Sequence, residues 1–408
     1  MRSSLILPLL ALACTGDPTD DTDVARIVGT TSRAISVGAA HSCVIVSGRI
    51  FCWGANDTGQ LGDGTTTTRL SPVEVLGAGA GGSESDWDAV SAGHDHTCGL
   101  RAGRIWCWGA NDGGQLGDAT EVSHPQPVQV LGDDGGDAWD DWDAVVAGDR
   151  FSCGRRDGRL YCWGLNQLGG LGAGGGDARV GASQIPLAVV DDSNGDPWTD
   201  WTTVSVAGSA TCGLRQGEAW CWGADAAGQA GHGEAYEFGR FFPVRVASGE
   251  DGKAWWSDWL AVHPGGEHTC GLRGGQVWCW GDNTAANLGQ GERTVRELVP
   301  LQVKTDGGEA GWDDWDAIAI GAFSCGLRDG SAYCWGIRAP GQPELPTAVP
   351  GADGGSPFPD WDVLAAPSQH TCGVRANEVW CFGKNDVGQL GDGTIADRDT
   401  PVRVPLPE

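Results

Sequence analysis

Fourteen of the fifteen cysteines fall into seven pairs of one spacing: 43/52, 98/107, 153/162, 212/221, 270/279, 325/334 and 372/381. Such pairs can ligate a metal, cycle between thiol and disulfide, or staple two strands. Between the members of each pair lie eight residues, and the middle two are Ser47-Gly48, Ala102-Gly103, Asp157-Gly158, Gln216-Gly217, Gly274-Gly275, Asp329-Gly330 and Ala376-Asn377. The second is always Gly or Asn, which tolerate the positive φ that a two-residue hairpin turn requires. Counting outward from that turn sets Cys98 opposite Cys107 at a non-hydrogen-bonded position. Cα atoms there approach to about 4.5 Å, the short end of disulfide range.

Zinc fits this pattern poorly, because structural zinc sites use closely spaced cysteines and a flat pair supplies only two ligands. His96, two residues before Cys98, would add a third, but the equivalent positions hold His41, Phe151, Ala210, His268, Phe323 and His370. A ligand does not alternate with Phe or Ala. Disulfides are therefore the expected state: Cys43 with Cys52, Cys98 with Cys107, Cys153 with Cys162, Cys212 with Cys221, Cys270 with Cys279, Cys325 with Cys334 and Cys372 with Cys381. Buried free thiols are the alternative if the chain stays in a reducing compartment. The four histidines read as satisfied structural residues at an inner turn.

The elements that must hold these pairs recur with them. Successive first cysteines lie 55, 55, 59, 58, 55 and 47 residues apart, and phrases such as "DWDAVSAGHDHTCGLRAGRIWCWGANDGGQLGD" return around each pair. Each unit reads as four short strands: a DWDAV type, an HTCGLR type, a RIWCWG type and a P-V-x-V type such as Pro127 to Val130 or Pro401 to Val404. No stretch has helical periodicity. Four-stranded units that cannot bury both faces alone are stable when arranged radially. The expected fold is all-β, a seven-bladed propeller with a cross-strand disulfide in each blade. Its repeats span approximately 31–83, 84–138, 139–197, 198–255, 256–311, 312–357 and 358–408.

A second rule runs along the hairpins. Val44, Gly99, Gly154, Gly213, Gly271, Gly326 and Gly373 lie opposite Phe51, Trp106, Tyr161, Trp220, Trp278, Tyr333 and Trp380. In six blades an aromatic ring is thus expected to cover a bare glycine across the strands. The Trp of each CWG and each DWD reads as packing between blades.

The phrase "HTCGL…CWG…GQLGDG" resembles the RCC1 repeat of the regulator-of-chromosome-condensation propellers, and the resemblance covers about residues 31 to 408. It implies the seven-bladed ring more firmly than any one function. Such propellers serve as nucleotide-exchange factors, ubiquitin-ligase modules and secreted inhibitors of β-lactamase. The first unit has "SRAISVGAAHSC" in place of DWD, and the chain ends on "TPVRV". By the resemblance, the two ends are expected to complete the ring together.

The start, "MRSSLILPLLALAC", has Arg2, then an apolar run from Leu5 to Ala13, the layout of a short secretory signal over residues 1–13. The Ala-Leu-Ala-Cys ending resembles a bacterial lipobox and marks Cys14 for lipidation, although Ala11 and Leu12 depart from its commonest form. Residues 14–30, opening on "CTGDPTDDTD", read as an acidic flexible tether. The expected location is the bacterial cell envelope or the outside, not the cytoplasm. The formal charge is −28, and losing residues 1–13 removes Arg2 and no acid, leaving −29. That surface repels phosphate backbones, so nucleic acid is disfavoured as a partner.

An up-and-down meander puts the Cys-hairpin turns and the inter-unit loops on one face. Those loops hold Asp133, Asp134, Asp137, Asp140 and Asp141; Asp191, Asp192, Asp196 and Asp200; Glu250 and Asp251; and Asp306, Glu309, Asp313 and Asp314. Three residues after each first cysteine, from the second unit on, stand Arg101, Arg156, Arg215, Arg273, Arg328 and Arg375. These arginines either pair with neighbouring acids or, with the acidic crown, form a binding face for a basic protein. "DDSNGD" offers Asp191, Ser193 and Asp196 as a weak calcium loop lacking its bidentate acid. No G-x-S-x-G, H-E-x-x-H or phosphate loop is present, so no catalytic residue or cofactor is assigned. A lyase or hydrolase site in the central channel is the remaining enzyme reading. The expected function is that of an exported, lipid-anchored protein-interaction scaffold, monomeric, with an inhibitor-type propeller as the alternative. Guanine-nucleotide exchange is disfavoured. Residues 337–347, "IRAPGQPELPT", replace the longer GQLGDG loop and are the expected partner-specific notch.

Overall fold

A computed structural model describes residues 34–407, except 78–84, 175–180, 191–194, 249–253, 337–343 and 367. The described residues form seven four-stranded antiparallel sheets, each built from one continuous segment in meander order. No helix occurs among them. The second blade shows the plan: Ala89–Ala92 is innermost, followed by His96–Arg101, Arg104–Gly109 and the outer His124–Gln129. The outer strands start earlier than the P-V-x-V phrase, as the last blade's Arg398–Arg403 also shows.

The hairpin register is the one the turn residues predict. Cys98 faces Cys107, Gly99 faces Trp106 and Arg101 faces Arg104. All seven pairs are disulfide-bonded with Cα atoms 4.1 Å apart. Turn residues Ser47, Ala102, Asp157, Gln216, Asp329, Ala376 and Asn377 all adopt positive φ, as the two-residue turn demands.

The core lies between blades. One cluster joins Cys98, Cys107, Leu116 and Val130 of the second blade to Trp142, Val145, Tyr161 and Trp163 of the third. The tryptophan of each CWG is the linchpin. Trp53, Trp108, Trp163, Trp222, Trp280 and Trp335 are fully buried. Each indole N–H donates at 2.9–3.0 Å to a carbonyl in the outer loop of the preceding blade: Gln389, Gln60, Gln115, Gly170, Gln229 and Asn287. The same loop shields the next blade's outer strand, with Gly64 N–H donating to the Pro125 carbonyl (3.0 Å) and Ala119 N–H to that of Gln184 (3.0 Å). Each of these bonds takes up one backbone carbonyl of an outer edge strand.

The first and last blades complete the ring at one seam, each built from its own segment. The first blade supplies its own inner strand, Ile35–Val37, and the last holds both Trp361–Ala365 and Arg398–Arg403. Side chains close the ring, because Ser42 Oγ and Trp53 Nε1 both donate to the Gln389 carbonyl.

One expectation needs correction: the ring nearest each hairpin glycine is that of the DWD-type tryptophan, not the cross-strand aromatic. A Cβ on Gly99 would sit 2.6 Å from Cζ3 of Trp87, the DWD tryptophan of its own blade. Gly154, Gly213, Gly271, Gly326 and Gly373 lie equally close to Trp142, Trp201, Trp259, Trp315 and Trp361. The inner strand pairs edge to edge with the hairpin, and the tryptophan just before it reaches the space that the glycine leaves.

Candidate functional site

The hairpin turns and inter-blade loops share one face, as the meander requires. Trp142 N–H donates to the Gly103 carbonyl (2.9 Å), so each inner strand starts on the preceding blade's hairpin. Five rim arginines on this face are clamped in one way. Arg156 makes a two-pronged ion pair with Asp141 (2.7 and 2.7 Å), with its guanidinium carbon 4.0 Å from the ring centroid of Trp139. Arg215 pairs with Asp200 over Trp198, Arg273 with Asp258 over Trp256, Arg328 with Asp314 over Trp312, and Arg375 with Asp360 over Phe358. Arg101 stands 5.5 Å from the Trp87 ring.

The partners follow from local sequence. The Asp immediately precedes the DWD-type tryptophan, and the aromatic lies three residues before it, at 139/142, 198/201, 256/259, 312/315 and 358/361. That W-x-x-W or F-x-x-W spacing was the available signal for the stacking residues, and sequence reasoning missed it. The Arg156 guanidinium holds the Asp141 carboxyl below the ordinary range. Burial would raise Asp200, but bonds from Arg215 hold it low. The arginines therefore order loops and leave little positive charge free.

The face also carries a cluster of acids. Asp133, Asp134, Asp137, Asp140 and Asp141 line a 410 Å³ recess with Trp139 and Arg156. Asp134 Oδ1 accepts from Gly136 N–H (2.8 Å), and Arg104 approaches Asp140 only to 3.8 Å. Among the described residues no ion pair reaches Asp133, Asp134, Asp137 or the exposed Asp306. Asp191, Asp192 and Ser193, like Cys14 and most of the expected notch at 337–347, lie outside the described residues. Asp196 is exposed. Among the described residues no group of three or more His, Cys, Asp or Glu is placed to hold a metal ion.

The four histidines sit at the opposite end of the hairpins, each in a different blade. His41 Nε2 lies 2.9 Å from Thr97 Oγ1, His96 Nε2 2.9 Å from Ser152 Oγ, His268 Nε2 2.9 Å from Ser324 Oγ, and His370 Nε2 2.8 Å from Ser42 Oγ. Each hydroxyl belongs to the next blade and donates to a carbonyl in the histidine's own blade, such as Gln60 for Thr97 (2.8 Å). The histidine must then donate through Nε2. Burial lowers His41 and His268 to about 4, and burial with the nearby His41 takes His96 to about 3, so all three are neutral at pH 7. On the inner strands, Ser36 and Ser91 accept the N–H of Ala92 and Ala147, and Ser205 donates to the Val262 carbonyl. These hydroxyls join blades.

Fold and site together define a seven-bladed, disulfide-stapled propeller with an acidic face. Models of the regulator of chromosome condensation (RCC1) repeat match residues 47–100, 102–154 and 377–408, and a second model of that repeat matches 87–115 and 142–169. The chain is an RCC1-like propeller. It is 26% identical over 395 residues to the ultraviolet-B receptor UVR8 of Arabidopsis thaliana, covering 90% of this chain and 80% of the receptor. It is 25% identical to the human E3 ubiquitin-protein ligase HERC2, over 78% of this chain but 6% of that protein. Among solved structures, yeast RCC1 (Prp20) bound to Kap60 superposes with a TM-score of 0.72 at 18% identity, covering 99% of this chain and 91% of that one. Human WBSCR16 superposes with a TM-score of 0.70 at 20% identity, covering 88% and 94%.

Proposed function

We propose that this chain is an exported, lipid-anchored interaction scaffold of a bacterial cell envelope, and that its hairpin face receives a basic protein. The carrying observation is the clamping of the rim arginines. With Arg156, Arg215, Arg273, Arg328 and Arg375 each held by an aspartate, the surplus charge facing a partner is that of Asp133, Asp134, Asp137 and their neighbours. Clustered charge of one sign steers an oppositely charged protein and discriminates against acidic ones. Seven disulfides support an oxidising compartment, and the lipobox-like start supports the anchor. The four hairpin histidines spend their Nε2 atoms on hydroxyls that join blades, which favours a binding role over catalysis.

The test is cross-linking of the anchored protein to its neighbours in the native envelope, with the linked peptides mapped. Links should concentrate on the hairpin face and fall several-fold in the Asp133→Asn/Asp134→Asn/Asp137→Asn variant. They should also fall in about 0.5 M salt, where screening acts over a few ångströms. Salt-insensitive links on the opposite face would overturn the proposal.

A further inference from the structure

The seven staples are not equally shielded. Thirteen of the paired cysteines are 0–1% exposed or otherwise buried, whereas Cys334 of the sixth blade is partly exposed. The outer strand of that blade differs from the rest. In the other blades the outer strand sets an aliphatic side chain opposite the second cysteine: Val73, Val128, Leu187, Val244, Leu301 and Val402. The sixth blade's outer strand is only Thr347–Ala348, and Cys334 faces Thr347. The outer loops elsewhere also bury a residue in the core, such as Leu61, Leu116, Leu171, Leu288 or Leu390. The corresponding residues of the sixth blade, "IRAPGQPELPT", lie mostly outside the described residues.

The next blade carries matching changes. Phe382 stands where the other blades have an N–H-donating tryptophan, and the Thr371 hydroxyl is buried with no partner among the described residues. Its counterparts Thr97, Ser152 and Ser324 all donate to an outer-loop carbonyl of the preceding blade.

Thiol–disulfide exchange requires a thiolate to reach one sulfur, so access separates one staple from six. We propose that Cys325–Cys334 is a thiol-exchange site, opened at Cys334 by low-molecular-weight thiols while the other six staples stay closed. The attacking thiolate bonds to Cys334 Sγ as the Sγ–Sγ bond breaks. The electron pair leaves on Cys325 Sγ, which takes a proton from water. A second thiolate then releases Cys334, so two thiols become one disulfide for each staple opened. The site is separate from the acidic face and does not draw on the partner proposed there.

The test exposes the folded full chain to dithiothreitol for timed intervals, blocks new thiols with N-ethylmaleimide, and maps the label by mass spectrometry. Cys325 and Cys334 should be labelled about tenfold sooner than any other pair. Thr347→Val, which restores the aliphatic cover, should slow that labelling several-fold and leave the other pairs unchanged. Label arriving at all pairs together, arriving first at another pair, or arriving without any reductant would overturn the proposal. An unchanged rate in Thr347→Val would overturn the shielding argument, and the wild-type time course stands as a test if that variant does not fold.

Discussion

The ring of Trp87 packs against Gly99 so closely that a single added methyl would sit 2.6 Å from the indole. The first blade lacks the DWD phrase and carries Val44 where the other six have glycine. That valine is fully buried. Gly99→Val should therefore destabilise by about 1–3 kcal/mol through overpacking. Combined with Trp87→Ala it should cost less than the two singles summed, with a coupling of about 1 kcal/mol or more. Guanidinium unfolding of the four proteins checks this, and strict additivity would show that the two sites do not share volume.

The indole N–H of Trp108 tests the joint between blades. It donates to the Gln60 carbonyl at 3.0 Å, and Thr97 Oγ1 donates to the same oxygen at 2.8 Å. Trp108→Phe keeps a ring and leaves that oxygen with one donor, so a loss of about 1–2 kcal/mol is expected. Thr97→Val added to it should cost more than either single change, because the carbonyl is then buried without a partner.

Acid should weaken the ring through its histidines. His41, His96 and His268 titrate in the folded chain at about 4, 3 and 4, against an ordinary value of 6.5. His96 faces His41, Asp95 and His94, of which only Asp95 favours its charged form. Because the folded values are depressed, the unfolded chain takes up protons first as pH falls. Stability is fully present above pH 6.5 and declines from there toward pH 4, by at most about 1.4 kcal/mol per pH unit for each histidine. His96→Phe, the residue the third and sixth blades already use, should make that decline shallower between pH 7 and 5. An unchanged slope in the variant would assign the acid sensitivity to other groups.

The rim clamps should contribute modestly, since the aspartates are roughly half exposed. Arg273→Ala removes both the pair with Asp258 and the stack on Trp256, with an expected cost of about 1 kcal/mol. Arg273→Lys should recover only part of it, because an ammonium cannot make the planar two-pronged contact. Denaturation at low and high salt separates the contributions: the ion pair is screened, while the stack persists.

The local half of this structure was legible in the sequence. Turn residues such as Ala102-Gly103 set the register that joins Cys98 to Cys107, and the repeat spacing set the number of blades. The rest depends on contacts between repeats. His41 reaches Thr97 across 56 residues and Trp108 reaches Gln60 across 48, so neither partner lies within one unit's periodicity. Strand pairing in a hairpin is visible in the sequence and points to Trp106 as the cover over Gly99, whereas the approach of Trp87 is a matter of side-chain direction. The arginines were legible as a ring, but their clamping needed the W-x-x-W spacing to be read as a platform.

The most direct test of an exported ring closed by seven staples is the intact mass of the protein isolated from its native host, without reductant and with free thiols blocked. The expected mass is that of a chain beginning at lipid-bearing Cys14, with the fourteen paired cysteines unblocked. A chain that retains residue 1 and carries a blocking group on all fourteen would contradict both export and stapling.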